Sequence, residues 1–396
     1  MSHLMNTYAR QPIAFTHGHG AWLVGEDGQE YLDALAGIAV NGLGHAHPQL
    51  TKALAEQIVR LIHTSNVYRV REQEQLADRL CALSGLSEVF FANSGSEANE
   101  GALKLVRFYG HKRGNPEAQT IVMERAWHGR TLATLAATSS DKARKGFDPL
   151  PSGFIRVPYN DIGAIERAAA QDGRVQAVWL EVLQGEGGLY VADRDYLRAL
   201  RALCDQRAWL LMVDEVQSGI GRTGKWFGYQ WADIQPDVVT LAKGLASGVP
   251  IGALLAGGRA AGVFGPGNHG STFGGGPLAC RAGLETLRII EEDDLRANAA
   301  ARGAQIRSGM ARALQGAAGV VSIRGQGLMI GIELDRPCSD LVGAALANRL
   351  LINVTQERVI RLLPPLIVNA HEADEIVARL APVVRSFLTP VAARAA

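Results

Sequence analysis

Between residues 85 and 260, short apolar runs recur at 89–92, 120–123, 177–180, 210–213, 238–242 and 251–256, with helical patterning between them. A strand buried on both faces is apolar throughout instead of alternating. This rhythm therefore predicts an α/β fold with a mostly parallel sheet flanked by helices. In such sheets ligands bind beyond the carboxyl ends of the strands, so the residues after each run are where chemistry is expected.

The run 210–213 leads into Asp214-Glu215-Val216-Gln217. A carboxylate at the end of a buried strand needs a cation or hydrogen-bond donors, because isolating it in low dielectric costs several kcal/mol, very roughly. A protonated pyridine nitrogen is one such partner; capping the following turn is the plainer alternative. The run 238–242 ends in Lys243-Gly244. Lysine is rarely buried unless paired or chemically used, and desolvation lowers its proton affinity until it can act as an amine nucleophile toward an aldehyde. Here the plainer alternative is a lysine reaching out to solvent. Asp214 and Lys243 on successive strand ends favour the chemical reading of both.

A third element runs from the strand at 89–92 through Asn93-Ser94-Gly95-Ser96 into a helix beginning Glu97-Ala98-Asn99. Free backbone N–H groups and the helix dipole make such a start an anion site, and Gly95 lets a phosphate come close. Ser94 with Glu97 also reads as a capping box.

Elsewhere the patterns are local. Ala21-Trp22-Leu23-Val24 followed by Glu26-Asp27-Gly28-Gln29 predicts a hairpin, as does the segment 320–334. Leu50, Leu54, Ile58, Leu61 and Ile62 recur at helical spacing after Pro48, and a helix is expected near 278–290. A last helix is expected from about His371, with Ile376, Val377, Leu380 and Val384 on one face and a break at Pro382. A chain of 396 residues exceeds one minimal core. We read residues 50–290 as a large domain, and 1–49 with 291–396 as a smaller one formed by both termini.

The formal charge is +1, which predicts no global attraction to nucleic acid or to anionic membranes. The four cysteines form no CxxC pair, so neither a zinc ribbon nor a disulfide framework is suggested. No apolar run approaches ~18 residues and no signal-peptide pattern opens the chain. A soluble, cytoplasmic protein is expected.

Six strings resemble the class III aminotransferases: Ser94-Gly95-Ser96-Glu97-Ala98-Asn99, Trp127-His128-Gly129-Arg130-Thr131, Gln184-Gly185-Glu186-Gly187-Gly188, Asp214-Glu215-Val216-Gln217, Leu241-Ala242-Lys243-Gly244 and His269-Gly270-Ser271-Thr272-Phe273-Gly274-Gly275. They occur in order over nearly the whole chain, and the likeness is strongest to members acting on acetylornithine. The resemblance implies fold type I of the pyridoxal-phosphate-dependent transferases, with a large domain around a mostly parallel sheet and a smaller α+β domain. The resemblance also implies pyridoxal 5'-phosphate as the cofactor. The implied reaction moves the terminal amino group of N2-acetyl-L-ornithine to 2-oxoglutarate in arginine biosynthesis. Succinylornithine, ornithine, 4-aminobutyrate and N-succinyl-diaminopimelate remain alternative donors.

Residue by residue, the resemblance makes Lys243 the Schiff-base lysine and proton carrier, and Asp214 the partner of the pyridine nitrogen. Gln217 contacts the ring hydroxyl, Gly95 and Ser96 hold the phosphate, and Trp127 stacks on the ring. Glu215 and Val216 complete that cofactor-binding string. Thr272 reaches the phosphate of a neighbouring subunit, which implies a homodimer with active sites at the interface. Arg130, Ser271 and Gly37 contact substrate, Gly37 leaving room for an acyl group. Arg361 takes a carboxylate with its planar fork, and Glu186 masks Arg361 in one half-reaction. The chain departs from the family pattern at Ser96 (threonine is usual), Trp127 (phenylalanine), Gly276 (asparagine) and Val182 (proline).

Two other motifs are weighed. Gly219-Ile220-Gly221-Arg222-Thr223-Gly224 matches a dinucleotide fingerprint, but five residues separate it from the strand and no clear helix opens at Gly224; as a P-loop it fails because Trp226 stands where a hydroxyl is needed. His17-Gly18-His19 and His45-Ala46-His47 could be metallohydrolase ligands. Structural histidines are the preferred reading, and no metal is expected.

Overall fold

A computed structural model describes residues 3–389 of the chain. Its central sheet has seven strands in the spatial order Glu88–Ala92, Gly252–Ala256, Val238–Leu241, Leu210–Asp214, Val175–Leu180, Gln119–Met123 and Phe154–Val157. Only Gly252–Ala256 runs against its neighbours; the pairs from Val238–Leu241 to Phe154–Val157 are parallel. The mostly parallel α/β architecture predicted from the apolar runs is thus present, with an edge strand, Phe154–Val157, that the runs did not reveal.

Side chains alternate across this sheet, and both faces are covered. Leu210 and Met212 pack with Ala102, Leu105, Val106 and Tyr109 of the helix Gly95–Lys112, whereas Leu211 and Val213 pack with Leu197, Leu200 and Leu203 of the helix Arg194–Arg207. Each such fully buried aliphatic side chain contributes about 1.5–3 kcal/mol relative to an exposed one. This two-sided burial explains the unbroken apolar runs. It also fixes the height at which Asp214 emerges.

The N-terminal strands Phe15–His19, Trp22–Gly25 and Glu30–Asp33 form an antiparallel meander, and Leu350–Leu351 joins its edge in parallel. A second antiparallel sheet has the order Val320–Gln326, Met329–Leu334, Val359–Leu362, Asn353–Thr355. Both predicted hairpins are present. Residues 1–2 and 390–396 of the expected terminal domain lie outside the described residues.

Two helical expectations need correction. The helix Ala370–Leu388 passes through Pro382 without a break. Pro382 and Ala378, whose carbonyl loses its intrahelical donor, both face solvent, where water can replace the missing bond. The face expected from Leu50 to Ile62 is only half internal: Leu50 is buried, but the helix ends at Arg60, and Ile58, Leu61 and Ile62 are about half exposed. A further helix, Leu295–Ala313, lies in the stretch that showed only alanine and arginine enrichment. Its internal face includes Ala299 and Gly303, and a Cβ on Gly303 would collide with the Gly327 carbonyl oxygen, so backbone meets backbone there. Among the described residues, no helix is long and apolar enough to cross a membrane.

Candidate active site

Three adjacent parallel strands end in residues that carry chemistry. Asp214 closes the strand Leu210–Asp214 and pairs in register with Thr240, so Lys243 lies just beyond the end of the neighbouring strand. On the other side Val213 pairs with Leu180, and Glu181 follows directly. All three border a cavity of about 180 Å³ that Gly95, Ser96, Trp127, Glu186, Val216 and Gln217 also line. Of the expected cofactor residues, Gly95, Ser96, Trp127, Asp214, Val216, Gln217 and Lys243 therefore converge on one place, whereas Glu215 and Thr272 do not line it.

Asp214 is buried, and its charge is met by donors. Oδ2 accepts from His128 Nδ1 and Asn99 Nδ2, both at 2.8 Å, and Oδ1 accepts from the Val216 N–H at 3.0 Å. The His128 ring stacks on Trp179 with centroids 3.7 Å apart. Asn99 is one turn along from Gly95 on the helix Gly95–Lys112, which brings it to the same face. Asn99 also donates to the His128 carbonyl at 2.7 Å.

Lys243 adopts φ +44°, a left-handed backbone uncommon for a lysine and typical of strained functional positions. Burial lowers its pKa; the Glu186 carboxylate opposes that shift and the Arg361 charge adds to it. Glu181 accepts from the Trp127 and Gly185 N–H groups at 2.9 and 3.0 Å. Burial raises its pKa, with the Asp214 carboxylate adding to the effect. Sequence reading missed Glu181, although it stands directly after an apolar run.

At the cavity's anion end, Ser94 caps the helix Gly95–Lys112, its side chain accepting from the Glu97 N–H at 3.2 Å. The return bond of the predicted capping box is displaced: the Glu97 carboxylate takes the N–H of Asn93, at 2.8 Å. A Cβ on Gly95 would stand 2.7 Å from Val216, so only glycine fits between this helix start and the strand-end loop. Ser96 Oγ accepts from the Arg130 N–H at 3.4 Å.

Arg361 does not line the cavity but lies directly behind it, fully buried in an inner strand of the second sheet. Its Nη1 is 2.6 Å from Glu186 Oε1 and 3.5 Å from Gln217 Oε1. The other expected residues stand further out. The Glu215 carboxylate turns away from the cavity to the Ser218 hydroxyl and the Tyr229 N–H, and burial pushes its pKa up to about 7. The guanidinium of exposed Arg130 lies over the Trp127 ring at 4.6 Å. Ser271 Oγ accepts from the Gly274 N–H, and Thr272 is exposed. Gly37 is exposed in a left-handed turn formed by Ala36, Gly37, Ile38 and Ala39. That turn abuts the lysine loop, since a Cβ on Gly244 would lie 3.6 Å from the Ala39 carbonyl oxygen.

Of the rival motifs, Gly219–Gly224 forms turns and is followed by a short 3₁₀ segment, Gly228–Ala232. His45 is held by Asp33 at 2.9 Å. No cluster of three or more His, Cys, Asp or Glu side chains suited to a metal occurs among the described residues. Gly276 is the N-cap of the helix Pro277–Glu292, which has no side-chain cap where asparagine would supply one.

Comparison with known proteins gives a concordant result. The family model for "Aminotransferase class-III" matches residues 4–384. Acetylornithine aminotransferase 1 of Bordetella bronchiseptica is 62% identical over 387 residues, covering 98% of both chains. The crystal structure of N-acetylornithine aminotransferase from Stenotrophomonas maltophilia superposes with a TM-score of 0.83 at 35% identity, covering 96% of this chain and 98% of that one. An ornithine aminotransferase from Toxoplasma gondii, described with partial occupancy of PLP at its active site, superposes with a TM-score of 0.93 at 33% identity, covering 97% and 92%.

Proposed function

The chain belongs to the class III aminotransferases, and on that footing we propose that it moves the terminal amino group of N2-acetyl-L-ornithine to 2-oxoglutarate, giving N-acetyl-L-glutamate 5-semialdehyde and L-glutamate in arginine biosynthesis. The observation that carries the choice of donor is the 62% identity, across 98% of the chain, with an acetylornithine aminotransferase.

The enzyme is pyridoxal-phosphate-dependent, as its family is. The residues present fit that group. A buried carboxylate, a lysine of lowered pKa, a half-buried tryptophan ring and a glycine-opened helix start converge on one cavity. When bound, pyridoxal phosphate supplies an aldehyde that takes up an amino group and a ring that accepts electrons.

The placement of Asp214, Lys243, Gly95, Ser96, Trp127 and Gln217 around the cavity supports the following roles for the protein's own residues. Asp214, fixed by His128, Asn99 and the Val216 N–H, holds a proton at the ring nitrogen. Lys243 would use its Nζ to carry a proton from the substrate carbon to the cofactor carbon that bore the aldehyde, regaining a free amine as it releases the proton. Gly95 and Ser96 bind phosphate through the helix start, Trp127 covers the ring, and Gln217 meets its hydroxyl. Arg361 takes the α-carboxylate of glutamate or 2-oxoglutarate. Arg130, Ser271 and Gly37 border the substrate, Val216 packs against the cofactor, and Glu215 braces the loop from behind.

Thr272 serves the phosphate of a partner subunit. A homodimer is supported by exposed apolar residues at 58–68, with Val67 82% and Tyr68 71% exposed. Asn66 in that stretch donates to the carbonyls of Ser271 and Gly274, which ties the apolar surface to the segment carrying Thr272. We assign residues 50–290 to the cofactor domain and the terminal segments to the smaller one. The setting is cytoplasmic.

The test is a panel of amines mixed singly with the loaded enzyme, following cofactor absorbance. N2-acetylornithine should give the highest kcat/KM, roughly tenfold or more above ornithine and 4-aminobutyrate. A panel led by succinylornithine, N-succinyl-diaminopimelate or any other member overturns the assignment.

A further inference from the structure

Arg361 is fully buried, yet its main ionic partner is a side chain that is 28% exposed. If Glu186 moves aside to admit a substrate carboxylate, something else must keep the guanidinium in place. The strand Val359–Leu362 supplies the context. Directly opposite Arg361 on one side stands Gly331, which has no side chain to offer. Opposite it on the other side stands Asn353, and its Oδ1 accepts from Arg361 Nε at 2.9 Å.

The geometry points to Asn353 as a positioning residue that orients Arg361 for the dicarboxylate substrate, an inference that rests on Arg361 being the carboxylate site. A hydrogen bond at Nε stops rotation of the guanidinium plane and leaves the Nη1 and Nη2 end directed forward. Nη1 carries Glu186, and Nη2 has no hydrogen-bond partner. That end is the pair of donors a carboxylate grips with two parallel bonds. Asn353 performs this task without a charge, so it does not compete for the cation. Its strand also steadies the gate, since Thr355 Oγ1 and Gln356 Nε2 donate to the Glu186 carbonyl at 2.5 and 2.9 Å. Glu186 can then move by side-chain rotation while its backbone stays in place.

The test uses Asn353→Asp, Asn353→Leu and Arg361→Ala in the loaded enzyme, with two readouts. Calorimetry measures binding of glutarate, a dicarboxylate without an amino group. Single-turnover kinetics measure the glutamate and acetylornithine half-reactions separately. Asn353→Asp adds a competing anion, and Asn353→Leu leaves Nε without an acceptor. Each should weaken glutarate by roughly tenfold and shift the ratio of the two half-reactions against glutamate by a similar factor, mainly through KM. Unchanged glutarate affinity in both Asn353 variants, with Arg361→Ala abolishing it, overturns the role of Asn353 alone. Unchanged affinity in Arg361→Ala overturns the carboxylate site itself, and this inference with it. Equal depression of both half-reactions by the Asn353 variants would reduce Asn353 to a structural part, against the inference.

Discussion

The Nδ1 of His128 donates to Oδ2 of Asp214 across 2.8 Å, and neither side chain is open to solvent, at 0% and 4% exposure. Asn99 shares the same oxygen. A carboxylate held from two directions has one orientation, so its field on the cavity is fixed before anything binds.

Replacing Asp214 with alanine removes that field and leaves the His128 Nδ1 and one Asn99 donor bond unmatched. Cofactor should be lost on dialysis more readily than from wild type, and proton removal should slow by roughly a hundredfold or more. Stopped-flow absorbance with acetylornithine reads the rate. An unchanged half-reaction would contradict the assignment of Asp214.

Lys243→Ala should fold and bind the cofactor non-covalently, because the other lining residues remain. Turnover should fall by at least about a thousandfold, since the proposed role makes Lys243 both the amine nucleophile and the proton carrier. Appreciable multiple turnover by this variant would remove Lys243 from the chemistry.

Gly37 lies at φ +63° between Ala36, Ile38 and Ala39, which are also left-handed. A Cβ there would meet nothing closer than 3.5 Å, so the penalty for alanine is backbone strain of about 1 kcal/mol and not a clash. Gly37→Ala should lower the melting temperature slightly and leave donor preference alone. Gly37→Tyr should then cost acetylornithine more than ornithine. The ratio of kcat/KM for the two donors decides; equal losses would refute the steric account.

Burial raises the Glu215 pKa from 4.5 to about 7. The folded state thus keeps a proton that the unfolded state releases, so this group's contribution is full below about pH 4.5 and is lost as pH rises through about 7. Glu215→Gln can still accept from the Tyr229 N–H. It should flatten the fall in stability across that window, by an amount on the order of 1–3 kcal/mol. Urea unfolding at pH 5 and pH 8 measures it, and identical slopes in wild type and variant would show that Glu215 does not titrate there.

The features legible in the sequence are those whose physics is local to the chain. Two-sided burial leaves apolar runs, so the order of residues alone places Asp214 and Lys243 at the ends of successive strands, and the sheet then sets those strands side by side. The helix Leu295–Ala313 is hard to see because its internal face includes alanine and glycine, which carry little apolar signal. Pro382 misleads because whether a missing N–H breaks a helix depends on the solvent beside it. Asn353 leaves no trace at all, since its importance comes from facing Arg361 across a strand pair. Glu181 is different. It meets the strand-end criterion, but the glycine-rich string that follows it carries the stronger pattern and hides it.

The Glu186–Arg361 pair gives the sharpest test of how one site serves two donors. The ornithine-type donor reacts at an amine far from its carboxylate, whereas glutamate reacts at the amine beside it, so the proposed carboxylate role of Arg361 calls for it to be masked for the first and free for the second. A buried guanidinium left alone is costly, which is why a movable carboxylate partner 2.6 Å away suits the task. Glu186→Ala removes the mask but leaves Asn353 holding Nε. It should raise the glutamate half-reaction relative to the acetylornithine one by several-fold to roughly tenfold, while Arg361→Ala should damage chiefly the glutamate half. Single-turnover absorbance with each donor alone separates the two. If both variants depress the half-reactions in the same proportion, Glu186 is an ordinary structural acid and the donors are told apart elsewhere in the site.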